Sequence, residues 1–153
     1  MGAGLQVDVE DVSGAPGVPA TADLERWALA ALAGQREEAE LSIRIVDEKE
    51  IADLNAAFRN KQGPTNILSF PLDLPPGVPV SAIGDLVICA PVVAREAAEQ
   101  GKALEAHWAH MVVHGCLHLL GYDHMDESQA IKMEPLETAI LAGLGYPDPY
   151  APR

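Results

Sequence analysis

The run His114-Gly-Cys-Leu-His118-Leu-Leu-Gly-Tyr-Asp-His124 constrains the fold more than any other part of the chain, because its three histidines converge in only one kind of local geometry. Residues four apart on a helix lie about one turn above each other, so His114 and His118 can present their imidazoles to one ion. Gly121 then ends the helix, and six residues after His118 the chain can turn back and deliver His124 as a third ligand. Three neutral imidazoles at about 2.0 to 2.1 Å with a fourth position open to water is the ligand set of a catalytic zinc site; a structural zinc is more often closed by four ligands, commonly thiolates. The reading is one zinc ion on a zincin-like helix. Imidazole also accepts nickel, copper or iron, so zinc is a preference argued from ligand type.

Neighbouring residues compete poorly as ligands. A site built from His110, His114 and His118 would need three turns to converge, yet its outer ligands would sit about 12 Å apart along the axis. His110 is therefore expected to be a hydrogen-bonding or packed residue beside the metal, and His107 to face solvent. Cys116 points away from both His114 and His118 at about 100° per residue. Asp123 is placed either to orient a ligand imidazole or simply to make a turn. The spacing is that of H-E-x-x-H zinc peptidases, but the position of their general-base glutamate is Gly115 here, so a peptidase mechanism lacks its base. Glycine at that point also allows another backbone to approach, and helix packing is its plainer use.

The rest of the pattern predicts a scaffold. Leu5, Val7 and Val9 alternate with polar residues as in a half-buried strand, and Glu40 to Val46 alternates again. Thr21 to Ala33 reads as a helix capped by Thr21, and Asp47 to Phe58 as another, with Asp47 at the cap and Glu50 three residues on. Asn66 to Phe70 and Ile83 to Cys89 are branched apolar runs, joined by a proline-rich loop over 71–79. Pro91 to Gln100, Leu104 to Leu120 and Asp126 to Leu144 complete the set as helices, the last with Asp126 and Gln129 placed for a capping box. The order β-α-β-α-β-β-α-α-α implies a small mixed sheet with helices packed on it, in a single domain over residues 1–145, and a tail over 146–153 that frays.

Charge limits the partners. Ten Lys and Arg against 23 Asp and Glu leave a net charge of -13, which repels a polyanion at long range. A local basic strip of Arg44, Arg59 and Lys61 is the candidate for phosphate contact. The acidic start, with Asp8, Glu10 and Asp11, is unlike a secretory signal, and no apolar run reaches membrane-spanning length. Two cysteines, Cys89 and Cys116, are too few for a disulfide framework, so a cytoplasmic location with reduced thiols is expected.

The segment His114 to His124 closely resembles the signature of the YbeY family, metal-dependent endoribonucleases of ribosomal RNA maturation. Leu54-Asn55, Phe58-Arg59, Lys61, Pro64-Thr65-Asn66-Ile67-Leu68-Ser69-Phe70-Pro71 and Gly84-Asp85-Leu86-Val87-Ile88 resemble its other recurring blocks in the same order. Asn66 departs from a position that is often aspartate. The resemblance implies an α+β fold with a small, mainly parallel four-stranded sheet flanked by helices. It also implies zinc on His114, His118 and His124, with Arg59 and His114 as the residues on which cleavage rests. The implied substrate is an rRNA precursor, cut as a single strand in 16S rRNA 3′-end maturation and ribosome quality control.

On this reading Arg59 grips the phosphate in two-pronged fashion, its alternative being a salt bridge to a carboxylate. Thr65 and Ser69 are better placed to cap or turn the chain than to hold phosphate. The acidic surface suggests docking on a basic ribosomal protein of the small subunit, with no DNA and no membrane involved. Two other readings compete: a non-catalytic ribosome assembly factor with a structural zinc, and a zinc hydrolase of a different substrate.

Overall fold

The computed structural model describes residues 4–33, 35–72, 82–121 and 127–150, the last stretch with side chains from residue 133 onward. Along the chain lie β1 (Leu5–Asp11), α1 (Thr21–Ala33), β2 (Ala39–Val46), α2 (Glu48–Arg59), β3 (Ile67–Pro71), β4 (Ala82–Cys89), α3 (Ala90–Gln100), α4 (Leu104–Leu119) and α5 (Glu127–Gly143). The order expected from periodicity is the order found. Four strands form one sheet in the order β1-β2-β4-β3; β1 with β2 and β2 with β4 run parallel, and β3 runs antiparallel to β4. The fold is thus α+β with a mixed, mainly parallel sheet.

Alternation along the strands decides what each face of that sheet can hold. Leu41, Ile43 and Ile45 of β2 and Leu86 and Ile88 of β4 turn to one face, where Leu24, Trp27 and Leu32 of α1 and Trp108, Val112, Val113 and Leu117 of α4 bury them. The other face carries a smaller core of Val46, Ile51, Leu68, Val87, Cys89 and Val92. On its uncovered part, Asp8, Glu10, Ser42, Arg44 and Asp85 line an open groove of about 690 Å³ together with Phe58.

Helix ends follow local chemistry, with two adjustments. Asp47 caps α2, its carboxylate accepting from Glu50 N at 2.9 Å, but the Glu50 side chain bonds Arg44 instead of closing the reciprocal half of the box. Thr21 lies inside α1 instead of capping it, because Leu24 N already reaches the carbonyl of Ala20. At the other end of the molecule α4 stops as expected: Gly121, at φ +105°, takes a backbone conformation that side-chain-bearing residues rarely adopt, and its N–H reaches His118 O at 3.0 Å. The proposed Asp126 and Gln129 cap lies outside the residues described with side chains, and most of the proline-rich loop lies outside those described at all.

Gly115 fixes how α4 meets the sheet. A Cβ there would stand 2.7 Å from both Ile67 Cδ1 of β3 and Leu86 Cδ2 of β4, so the glycine lets the helix sit against both strands. Packing therefore accounts for the residue that stands where a zinc peptidase carries its base. The turn that presses on the sheet also sets the direction in which His114 and His118 emerge.

Candidate metal centre

Along α4 the side chains from Met111 to Leu119 are buried except for His114 and His118, which keep partial exposure. The two rings meet edge to face with centroids 4.5 Å apart, and their Nε2 atoms stand 3.0 Å from one another. Two nitrogens bound to one tetrahedral zinc at its usual bond length would stand about 3.3 Å apart, so the spacing of the pair is compatible with a shared ion. His124 and Asp123, the expected third ligand and its neighbour, lie outside the described residues.

Behind this pair is a carboxylate that no local spacing announced. Glu137 of α5 is fully buried, and its Oε2 receives His110 Nε2 at 2.8 Å and His114 Nδ1 at 3.1 Å. Its other oxygen, Oε1, accepts from the Tyr150 hydroxyl at 2.7 Å. Burial works to raise the Glu137 pKa, but the bonds from His110 and His114, the charge of His114 and the Tyr150 hydroxyl outweigh it and hold the carboxyl at about 2. A carboxylate that accepts from Nδ1 fixes the imidazole proton there and leaves Nε2 with its lone pair, the form a metal requires.

His110, His114 and Glu137 also form a group able to hold a metal ion, their ligand atoms lying within 4.8 Å of one another. In that group His110 and Glu137 are buried, at 8% and 0% exposure, and His114 keeps partial exposure, as His118 does. The structure thus gives His110 the hydrogen-bonding role expected of it.

Two expectations fail. His107 does not face solvent; it is 3% exposed, because the start of the histidine stripe abuts α3, where its Nε2 meets Glu96 Oε1 at 3.0 Å. Asn66, in turn, donates to both Glu96 oxygens at 3.1 and 3.3 Å, tying the start of β3 to α3. Arg44 does not extend a basic strip, since Glu10 and Glu50 bracket its guanidinium. These carboxylates are near only because β1 and the N-terminus of α2 flank β2, a tertiary fact.

Arg59, at the end of α2, is exposed and donates from Nη2 to the carbonyl of Ser69 at 2.7 Å. Its bond is to backbone, not to the carboxylate of the alternative reading. The same strand, β3, packs Ile67 against Gly115, so it is the element common to Arg59 and the metal helix. Lys61, two residues on, is exposed.

Glu137 could have been suspected from its helix. It stands four residues after Met133 and four before Leu141, both buried, so a charged residue interrupts an apolar stripe. Such a carboxylate requires buried donors, and the histidine stripe supplies them.

Comparison with known proteins joins this geometry to a family. The family model described as Endoribonuclease YbeY matches residues 18–145. A curated protein of Stutzerimonas stutzeri (strain A1501), named Endoribonuclease YbeY, is 58% identical over 134 residues, covering 87% of this chain and 84% of that protein. The solution structure of TM1509 from Thermotoga maritima superposes with a TM-score of 0.59 at 23% identity, over 94% of this chain and 99% of that one, a likeness of fold.

Proposed function

The chain belongs to the YbeY endoribonuclease family, and on that premise we propose that it is a zinc-dependent endoribonuclease cutting single-stranded RNA at a centre formed by His114, His118 and His124. The observation that carries the zinc assignment is the His114 and His118 Nε2 pair, 3.0 Å apart, with His114 Nδ1 already committed to a carboxylate. A zinc ion held by three neutral ligands supplies Lewis acidity, keeping its full charge to draw electron density from a phosphoryl oxygen.

The chain's own residues do the rest. His114 and His118 present lone pairs from one face of α4, and His124, six residues after His118, is assigned as the third ligand. Arg59 binds the phosphate: its guanidinium has five N–H donors in a planar fork, and holding Ser69 O occupies only one end of it. That anchor fixes the side chain in place, and a cation so fixed stabilises charge that grows on the phosphoryl oxygens in the transition state. Gly115 excludes a peptidase-type base from the helix, which disfavours an amide-cleaving reading.

The substrate we assign is an rRNA precursor in the cytoplasm, trimmed at the 16S 3′ end on the small ribosomal subunit and in ribosome quality control, by one domain over residues 1–145. With a net charge of -13, approach to RNA is helped by a basic ribosomal protein docked on the acidic surface, and raising salt should loosen that docking.

The test compares zinc-loaded wild type, His114→Ala and Arg59→Ala on small subunits carrying 3′-extended RNA, with mapping of new ends. Cleavage is expected from wild type alone, with Arg59→Ala retaining fold and zinc while losing about 100- to 1,000-fold in rate. A folded, zinc-bound Arg59→Ala at full rate would remove Arg59 from the mechanism. Particle binding without cleavage by any of the three would favour the assembly-factor reading.

A further inference from the structure

The last residues described, Tyr146 to Tyr150, hydrogen-bond to α4 and its neighbours. Tyr146 N bonds Leu141 O at 2.9 Å, and its hydroxyl reaches Glu105 in the first turn of α4. Lys102 Nζ donates to Pro149 O at 3.2 Å, and Asp148 Oδ1 accepts from Thr138 Oγ1 and from Tyr150 N. The segment therefore runs along α4 from Glu105 toward His110, where the Tyr150 ring packs edge-on at 5.4 Å. At its end the Tyr150 hydroxyl meets Glu137 Oε1, the oxygen opposite the one that receives His114.

We propose that Tyr146–Tyr150 is a strap whose terminal hydroxyl, acting through Glu137, holds His114 in the orientation and tautomer that bind the metal, making Tyr150 and Glu137 positioning residues of the centre. The proposal deepens the zinc reading above and rests on it for its consequence on affinity.

The chain of cause is short. A buried carboxylate needs donors on both oxygens, or it turns toward whichever side supplies them. His110 and His114 supply one oxygen of Glu137, and Tyr150 supplies the other. With a donor on each oxygen, Oε2 stays aimed at His114 Nδ1 and favours the tautomer with its proton there. Loss of the Tyr150 oxygen removes the hydroxyl's hold on Oε1 and loosens the carboxylate's aim. Replacing Glu137 with glutamine goes further, because the amide NH2 can donate to Nδ1 and drive the imidazole proton onto the metal-binding nitrogen. Partners of this kind alter metal affinity about 10- to 100-fold elsewhere.

Full-length wild type, Tyr150→Phe and Glu137→Gln are compared in two measurements. Competition with a chromophoric chelator gives zinc affinity, and long-range 15N–1H correlation of the stripped protein gives the His114 tautomer. Tyr150→Phe should bind zinc about 10-fold more weakly and Glu137→Gln about 100-fold, with His114 changing from Nδ1–H to mixed in the first and to Nε2–H in the second. Folded variants with wild-type affinity and an Nδ1–H His114 would overturn the proposal. If wild type itself binds no zinc, the zinc reading fails, while the tautomer comparison still decides whether the strap positions His114. Should Glu137→Gln fail to fold, Tyr150→Phe, which removes one oxygen atom, carries the test.

Discussion

On the α4 and α5 side of the sheet a carboxylate with no solvent exposure, Glu137, gathers two imidazoles and a tyrosine hydroxyl. In the groove on the opposite side, a guanidinium with 39% side-chain exposure, Arg44, gathers the carboxylates of Glu10 and Glu50. Each cluster joins three segments of the chain: α5, α4 and the C-terminal segment around Glu137, and β2, β1 and α2 around Arg44. They differ in dielectric surroundings. Water competes for every bond around Arg44 and salt screens its charges, so breaking one contact there lets solvent replace it. Glu137 itself has no solvent exposure, so a partner lost there leaves a buried polar atom. A burial difference thus separates a cluster that can hold a ligand geometry from one that merely decorates a surface.

The largest effect that separates them is on stability. Glu137→Ala should lower unfolding free energy in urea by about 3 to 5 kcal/mol, the usual result of removing one partner from a buried charged network. Glu50→Ala, its counterpart in the open groove, should leave the urea midpoint within measurement scatter. Equal losses from the two would break the comparison.

Acid sharpens it. Glu137 titrates at about 2 in the folded chain against about 4.3 for an unperturbed glutamate, so its contribution is fully present above the unfolded value and disappears as pH falls through the folded one. The metal-free wild type should therefore lose, relative to Glu137→Gln, about 3 kcal/mol between roughly pH 5 and pH 2. Stability curves of the two proteins that stay parallel over that interval would show that the carboxylate is not held as described.

Packing of the metal helix gives a smaller effect. Gly115→Val places atoms where Ile67 and Leu86 already stand, which should cost about 1 to 3 kcal/mol and displace His114 with the helix turn. A variant as stable as wild type, with unchanged zinc affinity, would mean that α4 has slack against the sheet. Smallest of all is a chemical contrast within the buried side. Burial alone pushes the Cys116 thiol up to about 12, so iodoacetamide at pH 8 should leave Cys116 intact until urea unfolds the chain, as peptide mapping would reveal. Alkylation of the folded protein at this site would show that solvent enters the core beside the histidines.

What the sequence made legible follows the reach of local rules. Periodicity of two and of 3.6 located β1, β2 and the helices, and runs of branched residues located β3 and β4, since each signal depends on close neighbours. His114 and His118 were legible for the same reason, their spacing of four being a statement about one helix face. Glu137 lies 23 residues from His114 on another helix, and only α4 packing against α5 brings them together. Arg44 and His107 were misjudged through the same blindness: neither β1 beside Arg44 nor Glu96 of α3 beside His107 is implied by nearby residues. The bonds of Tyr146, Asp148 and Tyr150 were equally illegible, because prolines describe a segment with no secondary structure of its own and not which side chains bond it to other elements.

The most direct measurement strips the protein with a chelator, returns zinc stepwise and follows cleavage of single-stranded RNA against bound metal, in wild type and in His118→Ala. Cleavage should rise from baseline to a plateau at one zinc per chain in wild type and stay at baseline in a His118→Ala protein that melts normally. Full cleavage by the stripped wild type, or by folded His118→Ala, would contradict a catalytic metal on the α4 histidines.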